Sequence, residues 1–271
     1  MAAELDQLRR QADQLAKQFK QKGYPDLADT LSADAKSYGA RAKIARKLGM
    51  PEHFSSPTAP VPLETPTVIE QLTIRESFTD VEREALIADG ALIYTPLGET
   101  ITAQKDSRAK KGKPSFAYLT TSENRLVAVP SRKVEIAIYP APERAFVPDS
   151  FSKGVEGQDK AVAVDAVELR QRLGQEGLGQ IIPGEASTVT DIVFQHEEAT
   201  GQWLLGSEYA AAQGLNYVYT RTKNPTNSTG SDVAYVGDAG PGYGVFVDHW
   251  GRGSGRRDIG VLRMVVPIET K

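Results

Sequence analysis

The last sixty or so residues alternate short β-type runs with glycine- and asparagine-rich turns, and this pattern constrains the fold more than any other feature. The runs are NYVYTRT, DVAYV, YGVFVDHW and IGVLRMVVPI, and the segments NPTNSTGS, GDAGPG and GRGSGRRD separate them. Strand-forming residues bounded by turn-forming residues predict short antiparallel strands with long loops. The final run is the most apolar of the four, so we expect it to be a central strand.

Helices and further strands are predicted ahead of that region. Apolar residues recur at helical spacing over residues 158–173, and a second helix is predicted to begin near Ser187 and to end at Gly201. Thr79 and Glu82 form a capping-box pattern that predicts the start of a short helix. Strand-type composition predicts four earlier strands, at residues 91–94, 115–121, 125–129 and 134–139.

The first part of the chain predicts a separate unit. Residues 1–50 contain two stretches with apolar residues at helical spacing, one ended by Gly23 and the other by Gly49. This pattern predicts a helical hairpin. Residues 51–66 contain five prolines and predict a semi-rigid linker. A small mixed α/β segment is expected at residues 67–124, packed on or leading into a main domain at residues 125–271. Because a hairpin cannot bury its own apolar stripes, it is expected to dock on the body or to form a homo-oligomer.

The composition excludes several kinds of chemistry. The chain has no cysteine, which excludes disulfides, thiolate metal sites and cysteine nucleophiles. Asp248, His249 and Ser254 are the residue types of a nucleophilic triad, but consecutive strand residues point to opposite faces, so Asp248 is not expected to orient the histidine ring. His196 has no second histidine at the spacing of a zinc-binding helix. We therefore expect no enzymatic activity, no metal and no cofactor.

Charge and hydropathy narrow the partners and the compartment. The 32 basic and 35 acidic residues leave a formal net charge of −3, so no general attraction to nucleic acid or anionic membranes is expected. The basic run at residues 105–113 is expected to be a solvated loop. Neither a signal peptide nor a membrane span is predicted, which makes the cytoplasm the default compartment. A virion, or export without an N-terminal signal, is compatible with the same sequence.

The order of elements from about Arg125 onward resembles the C-type lectin-like fold. In that fold the two ends of the domain pair and long loops present the ligand, and residues 259–267 are similar to its terminal strand. The segment 227–258 resembles the variable region of proteins that are diversified by retroelements, in which asparagine codons are scattered to other residues. The resemblance implies an α+β protein with a C-type lectin-like C-terminal domain that binds a ligand without enzymatic activity.

The same resemblance assigns the binding surface to one set of residues, the predicted contact set. It comprises Asn227, Ser228, Asp232, Tyr235, Asp238, Tyr243, Phe246, Asp248, His249, Gly251, Gly253, Gly255 and Asp258. The expected scaffold between them comprises Trp250, Arg252 and Arg256. The sequence is equally compatible with two roles for Trp250, local packing or a position at the centre of the contact surface.

The composition of this set also indicates a class of partner. Aromatic side chains mixed with small polar ones are typical of antibody-like paratopes, so a protein or a cell-surface ligand is expected and nucleic acid is not. The alternative function is that of a structural protein of a virion or other assembly. In that case an undiversified β-rich domain would pack against copies of itself.

Overall fold

A computed structural model of the chain describes residues 72–120, 124–227 and 230–270, and four isolated positions before them. The chain divides into two compact units, Met1–Ile69 and Glu70–Lys271. The isolated positions are helical and comprise Arg9, Arg10, Asp13 and Lys17. The rest of the predicted hairpin at residues 1–50, and all of the predicted linker at residues 51–66, lie outside the described residues.

The second unit is a mixed α+β fold with two sheets of short strands, as the sequence predicts. Its described helices are α1 (Asp80–Ala88), α2 (Ile101–Lys110), α3 (Asn124–Ala128), α4 (Val155–Leu173), α5 (Ala186–Thr200) and α6 (Ser207–Ala212). Its described strands are β1 (Leu92–Tyr94), β2 (Phe116–Leu119), β3 (Ile136–Ile138), β4 (Leu178–Gln180), β5 (Tyr219–Pro225), β6 (Asp232–Gly240), β7 (Gly244–Gly251), β8 (Ile259–Gly260) and β9 (Met264–Pro267). No helix in these ranges combines the length and the apolar character that a membrane span requires.

The four-stranded sheet has the order β1-β3-β9-β4, and all its neighbouring strands run antiparallel. All four residues of β9 are buried, and β9 lies between two other strands, which confirms the central position predicted for the most apolar run. The run is nevertheless split, because its first two residues form β8 in the other sheet. An isolated bridge joins Ile74 to Ile268, so the first and last described stretches of this unit are paired.

The five-stranded sheet has the order β2-β7-β6-β5-β8. Strand β6 pairs antiparallel with β5 and β7, whereas the edge strands β2 and β8 each run parallel to their neighbour. Alternate residues of β6 and β7 pack into the main hydrophobic core together with the apolar side of α5. These buried residues are Ala234, Val236, Val245 and Val247. The sheet is therefore anchored along one face by α5.

Three predicted helix boundaries are confirmed by their capping geometry. Thr79 accepts a hydrogen bond from the backbone of Glu82, whose own side chain bonds back to Thr79, which completes the capping box at α1. Gly174 after α4 and Gly201 after α5 have φ angles of 64° and 76°. This left-handed conformation suits glycine because a side chain would be strained there, so each helix ends at its glycine.

Two local predictions are wrong. Residues 125–129 were expected to form a strand, but α3 occupies them because Leu126 is buried in the main core as part of a short helix. The basic run at residues 105–113 is not a loop, since most of it lies in α2. The side chain of Arg108 is buried there, 2.8 Å from Glu197 and 4.4 Å from the centre of the Phe194 ring. Tertiary contacts therefore outweigh local composition in both segments.

Candidate ligand-binding face

The five-stranded sheet has one buried face and one partly open face, which we call the outer face. Along β7, Val245 and Val247 are fully buried. Phe246 and Asp248 are partly exposed, and Trp250 is exposed. Because side chains alternate between the two faces of a strand, β7 presents Phe246, Asp248 and Trp250 to the outer face.

A row of residues crosses the outer face from strand to strand. The strand register aligns Tyr118 of β2 with Phe246 of β7. It then aligns Phe246 with Gly237 of β6, and Gly237 with Tyr219 of β5. The rings of Tyr118 and Phe246 stack with centroids 6.3 Å apart, and Tyr243 meets Phe246 edge-on at 5.9 Å. Tyr118, Tyr243 and Phe246 form the first aromatic cluster.

A second aromatic cluster comprises Tyr217, Tyr219 and Tyr235. The ring centroids lie 5.8 Å apart for Tyr217 and Tyr219, and 4.8 Å apart for Tyr219 and Tyr235. Gly237 lies between the two clusters, and a Cβ atom there would lie 2.2 Å from the carbonyl oxygen of Val218 and 2.6 Å from the Cα of Tyr219. Glycine is therefore required at this position for β5 and Tyr219 to approach β6 so closely.

Aspartate carboxylates lie among these rings. Tyr235 donates a hydrogen bond to Asp248 at 3.1 Å, and Tyr243 donates one to Asp238 at 3.2 Å. Burial raises the pKa of Tyr219, Tyr235 and Tyr243, and the neighbouring aspartates raise it further. The hydroxyl groups therefore stay protonated at neutral pH, and the outer face offers neutral donors beside charged acceptors.

Residues 252–257, which we call the arginine loop, border the outer face. Hydrogen bonds from neighbouring segments hold the backbone of this loop in place. The buried guanidinium of Arg221 donates hydrogen bonds to the carbonyl oxygens of Arg252 at 3.1 Å and Ser254 at 2.9 Å. The backbone of the loop also accepts hydrogen bonds from the amides of Ser152 and Val155. These contacts fix the loop, so its outward side chains extend from an ordered backbone.

The three glycines in and beside this loop differ in the space around them. A Cβ atom at Gly255 would lie 2.2 Å from the carbonyl oxygen of Ser152, a distance that the backbone there cannot accept. At Gly251 the nearest atom would be the hydroxyl oxygen of Ser254 at 3.3 Å, and at Gly253 nothing lies within 4 Å. Gly253 therefore has open space for a side chain, whereas a side chain at Gly251 would require the Ser254 hydroxyl to shift by a few tenths of an ångström. Gly255 is part of the support, which corrects its place in the predicted contact set.

Arg256 of the arginine loop stacks on Trp250 and pairs with Asp258, which flank the loop on either side. The guanidinium carbon of Arg256 lies 4.8 Å from the centre of the Trp250 ring. Arg256 also donates to Asp258 from Nε at 2.8 Å and from a second nitrogen to the other carboxylate oxygen. Asp258 is 5% exposed and Tyr235 is 6% exposed, so neither offers contact area to a ligand. Both therefore support the face from beneath.

His249 contacts two polar neighbours. Its Nδ1 atom lies 3.1 Å from a carboxylate oxygen of Asp248 and 3.2 Å from the hydroxyl oxygen of Thr120. The expectation that Asp248 cannot meet the ring of His249 is therefore wrong, because the Asp248 carboxylate folds back and accepts a hydrogen bond from the backbone amide of His249 at 2.8 Å. Among the described residues, no hydrogen bond joins Ser254 to His249. The arrangement lacks the nucleophile–base contact of a triad in this structure.

Most of the predicted contact set lies at the surface. The members that are partly or fully exposed are Asn227, Asp232, Asp238, Tyr243, Phe246, Asp248, His249, Gly251, Gly253 and Gly255. Ser228 lies outside the described residues. Trp250, expected to be scaffold, is itself exposed, and Arg252 beside it is exposed as well.

Sequence reasoning missed three aromatic residues of the outer face: Tyr118, Tyr217 and Tyr219. The signal for two of them is the alternation of Tyr217, Tyr219 and Arg221 within NYVYTRT, which places all three on one face of a strand. Tyr118 has no such signal, because β2 joins the sheet from a part of the chain more than a hundred residues before β7. Only the strand pairing brings Tyr118 next to Phe246.

Similarity to other proteins gives no further guide to the site. No protein-family model matches the chain, and neither curated proteins nor solved structures give a match. Within residues 72–120, 124–227 and 230–270, no group of three or more histidine, aspartate or glutamate residues is arranged to hold a metal ion.

Proposed function

We propose that this chain is a non-enzymatic ligand-binding protein whose outer face contacts a protein or cell-surface ligand. The observation that carries the proposal is a group of exposed aromatic residues in and around the two aromatic clusters. They comprise Tyr118 at 47%, Tyr217 at 44%, Tyr243 at 46% and Trp250 at 38% exposure. Exposed aromatic residues grouped on one face are typical of interaction sites, since single apolar residues are otherwise scattered.

The physical character of the face supports recognition. Tyrosine and tryptophan side chains offer large contact area and lose little conformational entropy on binding, because each has few rotatable bonds. On the outer face the rings are also packed against each other, as in the pair Tyr118–Phe246. The sheet beneath is fixed by the core on α5. A ligand would therefore meet rings that are already in place, which lowers the cost of ordering them.

We further propose that residues 125–271 form a C-type lectin-like domain that is diversified by a retroelement. The pairing of β3 with the terminal strand β9 supports it, because the first and last strands of such a domain meet. The exposure of Phe246, Asp248 and Gly253 supports it as well, because substitution there disturbs little packing. The geometry adds a constraint, since Gly255 has no room for a side chain.

The surrounding DNA tests diversification. We expect a near-copy of the codons for residues 217–267 that differs only where the copy has adenine, together with a reverse-transcriptase gene. We further expect variants of the protein to differ at Phe246, Asp248 and Gly253 and to keep Gly255. Absence of both the copy and the reverse transcriptase would contradict diversification. The binding face would then be tested independently.

Selection from a random peptide library displayed on phage tests the binding face. The full chain is the target, and selected peptides are synthesised and measured by fluorescence anisotropy. We expect Phe246→Ala to weaken the binding of most selected peptides by at least about tenfold, because it removes the ring that contacts both Tyr118 and Tyr243. Leu97→Ala is the matched control, since Leu97 is an exposed apolar residue outside the outer face. Peptides that bind both variants as tightly as the original chain would contradict the proposal.

A further inference from the structure

A cleft at the edge of the outer face indicates which chemistry the ligand presents. We infer that this cleft, between Tyr217 and the arginine loop, binds an acidic side chain of a protein ligand. The inference rests on the proposed function, because it identifies the part of the ligand that meets this edge of the face. The cleft has a volume of about 450 Å³ and is lined by Leu215, Asn216, Tyr217, Arg256, Arg257 and Asp258.

The walls of the cleft combine apolar surface with positive charge. Leu215, Asn216 and Tyr217 supply one part of the lining, and Arg256 and Arg257 supply the positive charge, with the carboxylate of Asp258 already paired to Arg256. Such a pocket suits a carboxylate on a short hydrocarbon stem, since the stem contacts the apolar wall while the carboxylate meets a guanidinium. The volume is ample for an aspartate or glutamate side chain.

The charges in the loop are not balanced. Arg256 is committed to Asp258, which is the one acidic residue between Gly251 and Ile259. Arg252 and Arg257 are exposed, and among the described residues neither guanidinium group makes an ion pair. Two guanidinium groups therefore stand free on a backbone that Arg221 holds in place. A fixed backbone reduces the entropy that they lose when they bind a carboxylate.

The rest of the face favours a single acidic side chain over a polyanion. Asp238 and Asp248 lie among the rings of the outer face, and both are partly exposed. A nucleic acid carries a phosphate at every nucleotide and would pass these carboxylates when it follows the face, which costs electrostatic energy. A peptide can place one carboxylate in the cleft and turn neutral or basic residues toward the aspartates. Charge complementarity therefore selects a protein ligand with an acidic residue next to apolar ones.

Peptides selected on the full chain test the inference. We expect those that lose binding to Phe246→Ala to be enriched in aspartate or glutamate over the unselected library. Each acidic peptide is then synthesised with its aspartate or glutamate and with the matching amide. We expect Arg257→Gln to weaken the acidic form by about three- to tenfold and to leave the amide form almost unchanged. Lys105→Gln is the matched control, because it removes an exposed positive charge on α2.

The outcomes separate the inference from the function it rests on. Peptides that depend on Phe246 but show no enrichment in acidic residues, or whose two forms respond equally to Arg257→Gln, would overturn the inference and leave the binding face intact. Tighter binding of oligothymidylate than of the acidic peptides, lost in Arg257→Gln, would overturn it in favour of nucleic acid. If no selected peptide depends on Phe246, the proposed function fails and the inference fails with it.

Discussion

The two sheets use the same residue types in opposite ways. Next to the four-stranded sheet, Tyr139 is fully buried, its hydroxyl donates to Asp89 at 2.7 Å, and the guanidinium of Arg144 lies 4.6 Å from its ring. On the five-stranded sheet, Trp250 stacks on Arg256 but remains exposed at its edge. We call the first arrangement the closed network. The closed network holds the fold together, whereas the outer face keeps aromatic and cationic groups available.

The difference lies in how completely the charges are paired. Asp89 accepts hydrogen bonds from Tyr139, Arg144 and Arg172, so one carboxylate joins three elements of the fold. Arg263 beside it is paired with Asp165 through two nitrogens at 2.7 and 2.8 Å. The arginine loop has two guanidinium groups and no carboxylate left for them. Substitutions in the closed network should therefore change stability, and substitutions on the outer face should change binding.

Breaking the buried pair of the four-stranded sheet is expected to have the largest effect on stability. Asp165→Ala leaves the guanidinium of Arg263 buried without its carboxylate, which should reduce the free energy of unfolding by about 3 kcal/mol. Urea denaturation followed by circular dichroism measures this. Glu168→Ala, at an exposed position on the same helix, is the control and should change stability by less than about 0.5 kcal/mol. Equal effects of the two variants would contradict the division between the sheets.

Adding a methyl group at each of two glycines in the arginine loop should distinguish a position packed against backbone from one that faces open space. Gly255→Ala places a Cβ atom against the carbonyl oxygen of Ser152 and should reduce the free energy of unfolding by about 2 kcal/mol. Gly253→Ala meets open space and should change it by less than about 0.5 kcal/mol. Thermal denaturation of the two variants side by side measures the difference. A stable Gly255→Ala variant would show that the loop is not held as described.

Acid should weaken the closed network. Burial alone would raise the pKa of Asp89, but hydrogen bonds from Arg172 and Tyr139 and the charge of Arg144 lower it to about 2. Because the folded-state pKa lies below the unfolded value of 3.8, Asp89 contributes stability above about pH 4, and this is lost as the pH falls toward 2.

The contribution of Asp89 should be on the order of 1–2 kcal/mol. Denaturation curves from pH 5 to pH 2 measure it, with Asp89→Asn as the comparison. The variant should be less stable at pH 5, and the difference from the original chain should shrink as the pH approaches 2. A difference that stays constant over this range would show that the charge of Asp89 does not matter.

Removing the exposed tryptophan should have the smallest effect on stability. Trp250→Ala takes away a ring that is exposed and stacked on Arg256, so the free energy of unfolding should change by less than about 1 kcal/mol. Binding of the selected peptides should fall by about tenfold or more. The same variant therefore distinguishes a role of Trp250 in stability from a role in binding. A large loss of stability without a loss of binding would place Trp250 in the support of the sheet.

Much of the fold follows from local sequence patterns. The helices at residues 155–173 and 186–200 were predictable because apolar residues recur at helical spacing and a glycine follows each. The capping box at Thr79 required only two residues at the right separation. The segment that forms α3 was not predictable in this way, since its helical state depends on the burial of Leu126 against distant residues.

The sequence predicted which residues of a single strand face outward, but it did not predict which strands lie side by side. The alternation of Val245, Phe246 and Val247 indicated which side of β7 faces outward, and Phe246 is partly exposed there. Tyr118 could not be assigned to the face, because its neighbour in the sheet is determined by a parallel pairing between distant segments. The burial of Asp258 also escaped prediction, since it depends on a side-chain pair with Arg256 that its place in a glycine-rich loop does not reveal.

The open space at Gly253 has a practical consequence for studying the ligand. The chain contains no cysteine, so Gly253→Cys would introduce a single thiol on the arginine loop. An environment-sensitive fluorophore attached to that thiol would sit on the same loop as Arg256 and Arg257 of the cleft, at a position where a Cβ atom meets no other atom within 4 Å. Changes in its emission would then report occupation of the cleft as it happens, in a chain that needs no other modification for labelling.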